Sequence, residues 1–192
     1  MSVWVKKRLG DICTLINGAA FKSSDFIDEG VPVLKIANVK PNKILLNDLK
    51  CVSQETAEKK AKARIHYGDI LLTMTGNRKD GGPESWVGKA ALFREHGHYM
   101  LNQRLCIIRP NEDEVDTQYL AYYLSSWDSQ LYFINRATSS GGQANISPTI
   151  VNDYEIMMPD LAQQRRIAEL LNLLDIKILN NEKINRNLTL AA

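Results

Sequence analysis

The segment from Asp160 to Ala192 contains neither glycine nor proline, and this feature constrains the fold of the chain more than any other. Because glycine and proline are the residues that disfavour helices most strongly, their absence over so long a segment predicts one continuous helix. Asp160 is suited to cap its first turn, with Gln163 three positions later as in a capping box. At about 1.5 Å per residue the helix would be roughly 48 Å long and would protrude from a domain of this size.

The predicted helix carries an apolar seam that a solitary helix would leave in water. Steps of seven residues from Ile167 and from Leu171 give two adjacent series, which neighbouring residues widen. The seam comprises Ile167, Leu170, Leu171, Leu174, Ile178, Asn181, Ile184 and Leu188. We therefore expect the helix to need a partner. Asn181 has two interpretations, a buried polar residue that selects pairing register or a solvated residue near a frayed end.

The chain up to Pro159 mixes short apolar runs with glycine, proline, asparagine and serine, which predicts an α+β fold rich in strands. Predicted strands cover residues 31–39, 69–75, 86–93, 104–109 and 154–158. Predicted helices cover residues 53–64 and 116–137, the second with Asp116 as its cap and with aromatic residues that we expect in the core. We expect one domain over residues 1–159 and the helix over residues 160–192.

Composition excludes several classes of protein. The 192-residue chain has a formal net charge of +2, so bulk charge alone does not identify a nucleic-acid binder. Cys13, Cys51 and Cys106 are widely spaced and form no CxxC pair, which favours free thiols over a disulfide framework or a zinc site. No apolar run approaches the roughly 18 residues that span a bilayer, and the N-terminus lacks a secretion signal. We expect a cytoplasmic protein without membrane contact.

Motifs of enzymatic chemistry are missing or misplaced. The sequence has no G-x-S-x-G elbow, no Walker loop and no Asn/Asp-Pro-Pro-Tyr/Phe motif of the amino-methyltransferases. Pro159-Asp160 followed by Asp175-Ile176-Lys177 matches a loose nuclease pattern, but these residues lie along one predicted helix and cannot converge on Mg²⁺. His96 and His98 have no cysteine or acidic residue at metal-ligand spacing. We therefore expect a non-catalytic chain without a metal site.

Four polar loops are the more informative feature. They cover residues 18–26, 75–86, 101–104 and 136–147, and they carry basic and amide side chains beside glycine and serine. Arginine, lysine, asparagine and glutamine have the geometry to contact base edges and phosphates, while glycine and serine allow close backbone approach. Together the loops predict a recognition surface on a β-rich scaffold.

Six short motifs follow one another along the chain: Gly18-x-x-Phe21-Lys22-Ser23, Gly30-x-Pro32-x-Leu34-Lys35-Ile36-x-Asn38, Gly68-Asp69-Ile70-Leu71-Leu72-Thr73-x-x-Gly76, Leu101-Asn102-Gln103-Arg104, Gly142-Gln143-x-Asn145-Ile146-Ser147 and Pro159-x-Leu161-x-Gln163-Gln164-x-Arg166-Ile167-Ala168. Their order, together with the terminal helix, resembles the specificity subunits of type I restriction-modification systems. The resemblance runs over essentially the whole chain.

The resemblance implies a β-rich target recognition domain followed by a spacer helix. Members of the family typically carry two such units, whose helices pair antiparallel and set the distance between two DNA half-sites. This sequence has one unit, so the resemblance implies a half-size or truncated subunit that forms a homodimer through an antiparallel coiled coil and binds a bipartite, symmetric target. The implied partners are double-stranded DNA, methyltransferase subunits that use S-adenosylmethionine, and ATP-driven restriction subunits. No cofactor is implied for the chain itself.

For DNA contact we select polar and basic residues of the loops: Lys22, Ser23, Asn77, Arg78, Lys79, Arg104, Ser139, Ser140, Gln143 and Asn145. Alternatives stay open for several of them. Arg78 and Lys79 fit a solvated hairpin tip, Arg104 fits structural hydrogen bonding, and the loop that carries Gln143 and Asn145 fits a turn that bonds only its own backbone. A basic patch at Lys59, Lys60, Lys62 and Arg64 is either a phosphate-positioning surface or a solvated face.

A second function belongs to another class. The chain could be a helical adaptor or decoy that pairs with another specificity subunit and blocks or reprograms assembly without reading DNA. The seam on the long helix serves both functions, so the sequence leaves both open.

Overall fold

The computed structural model describes residues 3–77, 85–140 and 143–191, with no side-chain description for Ser140, Leu190 and Ala191. The strands are β1 Val5–Arg8, β2 Cys13–Asn17, β3 Phe26–Ile27, β4 Val31–Leu34, β5 Val39–Lys40, β6 Lys43–Ile44, β7 Lys50–Val52, β8 Arg64–Ile65, β9 Ile70–Thr73, β10 Thr75–Gly76, β11 Ala90–Leu92, β12 Tyr99–Leu101, β13 Leu105–Pro110, β14 Thr138–Ser140, β15 Gln143–Asn145 and β16 Glu155–Met158. The helices are α1 Leu9–Ile12, α2 Gln54–Lys59, α3 Thr117–Ser125, α4 Trp127–Arg136, α5 Pro148–Asn152 and α6 Leu161–Ala191. This architecture confirms the predicted α+β class.

The centre of the fold is an antiparallel sheet with the strand order β11-β9-β13-β2. Its strands are apolar at successive positions because both faces are covered. Ile70 and Leu72 of β9 face one core, whereas Leu71 faces another. Of the run predicted as a strand at residues 69–75, Ile70–Thr73 form β9 and are buried on both sides, whereas Thr75 belongs to β10 in another sheet.

The two faces are covered by different layers. The core that contains Ile70 also contains Leu120 and Phe133, which α3 and α4 supply. The core that contains Leu71 also contains Leu34 and Leu101, which belong to a second sheet with the order β3-β7-β4-β12-β8. The central sheet is thus enclosed between a helical layer and a second sheet.

Several predicted boundaries were wrong for local reasons. The predicted helix over residues 116–137 is broken at Ser126, whose extended backbone ends α3 and whose hydroxyl caps α4 by accepting Ser129 N–H at 3.3 Å. The predicted strand over residues 31–39 ends at Leu34 because Lys35 N–H bonds the Asn38 side chain at 2.8 Å and starts a 3₁₀ turn. The predicted helix over residues 53–64 ends at Lys59.

Other predicted details are confirmed. Asp116 caps α3 by accepting Tyr119 N–H at 2.8 Å. Tyr119 and Phe133 are buried as predicted, although Trp127 is 51% exposed and lies outside the core. The three cysteines are free.

The long helix α6 is present over 31 residues, Leu161–Ala191, and Asp160 caps it by accepting Gln163 N–H at 2.9 Å. Ala168 is buried and Ile167 packs against the main core, whereas the described side chains from Ile176 onward are exposed. The helix thus lies on the domain for its first half and extends beyond it for the second. Within the described ranges, no helix combines the length and the apolar character that crossing a membrane requires.

Candidate nucleic-acid interface

The predicted polar loops come together at one edge of the central sheet. Strands β2 and β9 end there at Asn17 and Thr73, and β13 begins there at Leu105. Backbone hydrogen bonds then join the segments that leave these strands: Gly18 N–H bonds Leu105 O at 3.0 Å, and Met74 N–H bonds Arg104 O at 2.9 Å. We call this surface the loop edge and define it as residues 17–23, 74–77, 85–86, 101–104, 138–140 and 143–146.

A glycine allows two of these segments to cross. Ala19 N–H bonds Leu101 O and Gln103 N–H bonds Ala19 O, both at 2.8 Å. A side chain on Gly18 would collide with the backbone carbonyl oxygen of Asn102. The segment that carries Lys22 is therefore laid directly across the segment that carries Arg104.

The crossing segments present exposed polar side chains. Lys22 and Ser23 are exposed at a 3₁₀ turn, which the Asp25 carboxylate holds by accepting Lys22 N–H at 2.8 Å. Arg104 is exposed next to Gln103, and its hydrogen bonds are made by its backbone: its N–H donates to the Asn102 side chain at 3.4 Å and its carbonyl accepts Met74 N–H at 2.9 Å. The guanidinium of Arg104 makes no hydrogen bond or ion pair within the described part of the chain and is available to an anionic ligand.

Residues 138–140 and 143–145 of the predicted loop 136–147 pair as two antiparallel strands, and we call this strand pair the hairpin. Strand β14 pairs with β15, which pairs in turn with β10, so the hairpin extends the loop edge as a three-stranded sheet. The side-chain oxygen of Asn145 accepts the Thr75 hydroxyl at 2.9 Å, and this bond fixes the hairpin to β10. Ser147 caps α5 by accepting Ile150 N–H at 3.3 Å. The Asn145 side chain thus bonds a different segment, and the alternative of a turn that bonds only its own backbone does not hold for Asn145.

Gln143 differs from Asn145. It is half-buried, and its carboxamide forms no hydrogen bond to another described residue. Ser139 is exposed beside it. Ser140 lies opposite Gln143 in the strand register, and nothing further is described of its side chain. Gln143 therefore keeps both its donor and its acceptor available for a base edge.

The remaining predicted contacts belong to the segment 75–86. Asn77 is half-buried, and its amide donates to the Ser85 hydroxyl at 3.1 Å. Arg78 and Lys79 lie outside the described residues.

A basic groove adjoins the loop edge. Of its lining residues, the sequence singled out Lys62 and Arg64 as members of the predicted basic patch. The groove has a volume of about 530 Å³ and runs along the outer edge of β2 from Asn17, with Lys62, Arg64, His66 and Arg109 among its lining residues. Arg109 is neutralised by Asp69, to which it donates two bonds of 2.7 and 2.8 Å. Neither Lys62 nor Arg64 has an acidic partner in the described ranges, so both can meet a phosphate.

The other two cations of the predicted basic patch, Lys59 and Lys60, interact with side chains of the protein itself. Lys59 pairs with Glu55 at 2.6 Å, and the Lys60 ammonium lies 5.4 Å from the centre of the Phe21 ring. Glu55 and Lys59 are four residues apart on a predicted helix, a spacing that favours an ion pair. This spacing could have predicted that Lys59 pairs with Glu55 and does not bind phosphate.

The carboxylates and histidines that the sequence singled out have structural partners or lie apart from one another in the described part of the chain. No group of three or more histidine, cysteine, aspartate or glutamate side chains in the described part of the chain could hold a metal ion. Asp175, from the loose nuclease pattern, accepts hydrogen bonds from Asn42 at 2.9 Å and Tyr122 at 2.8 Å. His96 stacks on Tyr67 with ring centres 4.7 Å apart.

The predicted pairing seam is exposed only in part. Ile167 packs on the main core and Leu171 is half-buried, so both face the chain's own domain. An exposed stripe with alternating spacings of four and three residues remains, and we call it the outer stripe: Leu170, Leu174, Lys177, Asn181, Ile184 and Leu188. Ile178 is also exposed, but it lines a cleft between α6 and the domain.

Comparison with known proteins agrees with this geometry. The family model described as "Type I restriction modification DNA specificity domain" matches residues 1–190. The MjaVIII specificity subunit of Methanocaldococcus jannaschii is 27% identical over 190 residues, which cover 95% of this chain and 43% of that protein. The EcoBI specificity subunit of Escherichia coli is 29% identical over 173 residues, covering 89% of this chain and 32% of that protein.

A solved structure shows the same fold. The crystal structure of a type I S subunit from M. genitalium matches 93% of this chain and 41% of its own with a TM-score of 0.65 at 16% identity. The chain spans less than half the length of the relatives it matches. Over nearly all of its own length, however, it belongs to the type I restriction-modification DNA specificity domain family.

Proposed function

We propose that the chain is a DNA-recognition subunit of a type I restriction-modification system and that the loop edge binds double-stranded DNA in a sequence-specific manner. The observation that carries the proposal is the convergence of four polar segments, separated by long stretches of sequence, on one edge of the central sheet. Residues 1–159 form the recognition domain, and the helix from residue 160 onward serves assembly.

The loop edge divides into two chemical parts. Gln143 and Arg104 have side chains of the types that pair with adenine and guanine edges and that lack a hydrogen-bond partner among the described residues, so we assign them to base reading. Lys22, Lys62 and Arg64 are exposed cations around the loop edge and the basic groove, and we assign them to phosphates. Asn145 has a structural role, because its bond to Thr75 fixes the hairpin to β10.

The outer stripe supports a homodimer. Leu170 is 64% exposed and Leu188 is 62% exposed, and water-exposed leucines at this spacing are typical of a helix that pairs with another helix. We propose an antiparallel pair of α6 helices. Two-fold symmetry would then place two recognition domains on the half-sites of a bipartite, symmetric target.

By its family we assign methyltransferase subunits and restriction subunits as partners, and the cytoplasm as the place of action. Catalysis would reside in those partners, and the chain would bind no cofactor of its own. The methyltransferase subunit therefore belongs in any binding assay as a separate arm.

A selection experiment tests this function. The purified chain, alone and with its methyltransferase subunit, is incubated with random duplex DNA at modest salt, and bound molecules are sequenced. We expect a bipartite motif with inverted half-sites. Failure of both arms to enrich any motif would reject the proposal.

The exposed outer stripe also suits the adaptor function, in which α6 pairs with a longer specificity subunit and DNA is not read. Light scattering separates the two functions. A chain that is monomeric alone and dimeric only with a longer relative would favour the adaptor, whereas a dimer of the chain alone favours the proposal above.

A further inference from the structure

The long helix is fixed to the recognition domain by hydrogen bonds at two separate points. Near its start, the buried Gln164 accepts Asp116 N–H and donates to Pro159 O, both at 2.9 Å. Eleven residues later, about 16 Å along the helix, Asp175 is bonded to the domain as well. Two fixed points on one helix define its direction relative to the domain.

The second point joins three distant parts of the chain. One carboxylate oxygen of Asp175 accepts both the Asn42 amide at 2.9 Å and the Tyr122 hydroxyl at 2.8 Å. Bonds to an ionised acceptor are stronger than bonds between neutral groups. Burial and the bond to Asp175 raise the pKa of the Tyr122 phenol, so the phenol stays protonated as a donor.

The partners of Asp175 are themselves held in place. Asn42 has a left-handed backbone with φ of 54° in the turn between β5 and β6, and its N–H bonds Ala90 O at 2.9 Å. Tyr122 lies within α3, which packs against the central sheet strand β11. Asp175 therefore connects α6 to the framework that also carries the loop edge.

Beyond Asp175 the helix has no comparable attachment. Every described side chain from Ile176 to Thr189 is exposed, and none of them forms a hydrogen bond or ion pair with the described part of the domain. A cleft of about 670 Å³ opens there between α6 and the β5–β6 hairpin. This free segment is about 24 Å long, so a tilt of about 10° at Asp175 would move its end by roughly 4 Å. That distance exceeds the roughly 3.4 Å between successive nucleotides of one DNA strand.

We propose that Asp175 is a positioning residue that fixes the angle between the recognition domain and the pairing helix, and thereby sets the spacing between the two DNA half-sites. The proposal rests on the proposed function, because only a dimer that binds two half-sites has such a spacing. Asp175 itself would contact no DNA and would act through the direction of α6.

Three variants remove or restore the attachment. Asp175→Ala removes the acceptor, and Tyr122→Phe removes one donor while it keeps the ring. The double variant Asn42→Asp with Asp175→Asn exchanges the two groups, so that the amide nitrogen at 175 can donate one hydrogen to the carboxylate at 42 and the other to the Tyr122 hydroxyl oxygen. Aspartate also tolerates the left-handed backbone at position 42. Glu169→Ala is the matched control, because Glu169 is an exposed carboxylate of the same helix without a described partner.

Two readouts are measured on the full chain. The first is the distance between nitroxide labels at Glu112 on the domain and Lys183 on the helix, attached through ketone-bearing amino acids and diluted into unlabelled protein. The second is binding to duplexes in which the selected half-sites are moved closer or further apart by single base pairs. The first readout requires no DNA binding.

We expect the Asp175→Ala variant to broaden the distance distribution and to reduce the discrimination between adjacent spacings from about tenfold to about threefold or less, while the half-site sequence stays the same. The exchanged double variant should recover both properties, and Glu169→Ala should match the unmodified chain. An unchanged distance distribution in both Asp175→Ala and Tyr122→Phe would overturn the inference. If the unmodified chain binds no DNA, the proposed function fails, and the distance distributions still decide whether Asp175 sets the helix angle.

Discussion

At the scale of single residues, the ion pair between Asp69 and Arg109 organises the junction between the central sheet and the basic groove. Asp69 is 1% exposed, and besides both guanidinium bonds it accepts His66 N–H at 2.7 Å. These bonds hold the turn that precedes β9 and orient His66 at the groove. Gly68 allows this turn through its left-handed φ of 88°. The ion pair of Asp69 was not foreseen, because Arg109 is distant in sequence.

Removal of Arg109 should destabilise the folded protein, because it leaves the Asp69 carboxylate buried without its partner. We expect Arg109→Met to lower the free energy of unfolding by about 3 kcal/mol, measured by urea denaturation. Lys50→Met is the control, since Lys50 pairs with the exposed Asp28 and its loss should leave the midpoint nearly unchanged. Equal shifts for the two variants would contradict this account of the ion pair.

The thiols should differ in reactivity. Burial raises the pKa of Cys13 and of Cys106 to about 12, so at pH 8 only on the order of one in 10,000 of either thiol is ionised. We expect a disulfide reagent to modify Cys51 first in the folded protein and all three thiols after unfolding in urea. Since the thiolate is the reactive form, raising the pH from 8 to 9 should speed the reaction of Cys13 and Cys106, while both reactions stay slow. Rapid labelling of Cys106 at pH 8 would show that its core position is wrong.

At the scale of elements, the features that could be predicted from the sequence are those that depend on neighbouring residues, such as helix caps and apolar strands. Ser53, Asp116 and Asp160 cap helices as their residue types suggest, and the apolar run before Thr73 forms a strand. The loops were selected by composition, but their convergence depends on the pairing of β2, β9 and β13, which no local pattern encodes. The break at Ser126 was missed because apolar spacing continues across it while one serine changes the backbone direction.

Gly18 is the residue on which the crossing of two loop segments depends. Gly18→Ala would press a methyl group into the Asn102 carbonyl oxygen, so we expect a loss of about 1 to 3 kcal/mol of stability and a weaker affinity for DNA. Gly10→Ala is the control, because the atoms nearest to its added carbon belong to the Asn152 side chain, at 3.1 Å, and not to a backbone carbonyl. Urea denaturation and gel-shift titration measure the two effects, and equal behaviour of both variants would contradict the crossing geometry.

At the scale of the whole molecule, the two halves of α6 differ in their surroundings. The first half packs on the domain, and the second half is exposed and available for the proposed pairing. The sequence identified the helix and its apolar character, but it could not say which side faces the domain. In the structure Ile167 belongs to the main core and the outer stripe is exposed. The proposed pairing surface is therefore the side of α6 that carries Leu170 and Ile184, and not the side that carries Ile167.

A charge on the outer stripe should separate the dimer. We expect Leu174→Asp to give the mass of a monomer in light scattering at concentrations where the unmodified chain is a dimer, because pairing would bury the new carboxylate. Ile176→Asp is the control, since Ile176 is also exposed but lines the cleft next to the domain. Dissociation by the control alone would place the pairing surface on the other side of α6.

The central claim, that the loop edge reads DNA sequence, is tested most directly by measuring base preferences at every position of the selected target for the unmodified chain, Gln143→Ala and Lys62→Ala. We predict that Gln143→Ala relaxes preference at one position in each half-site by about 1 to 3 kcal/mol. Lys62→Ala should weaken binding to all sequences alike and reduce the slope of log affinity against log salt by about one. A Gln143→Ala variant with unchanged preferences, or an unmodified chain without any, would contradict the account.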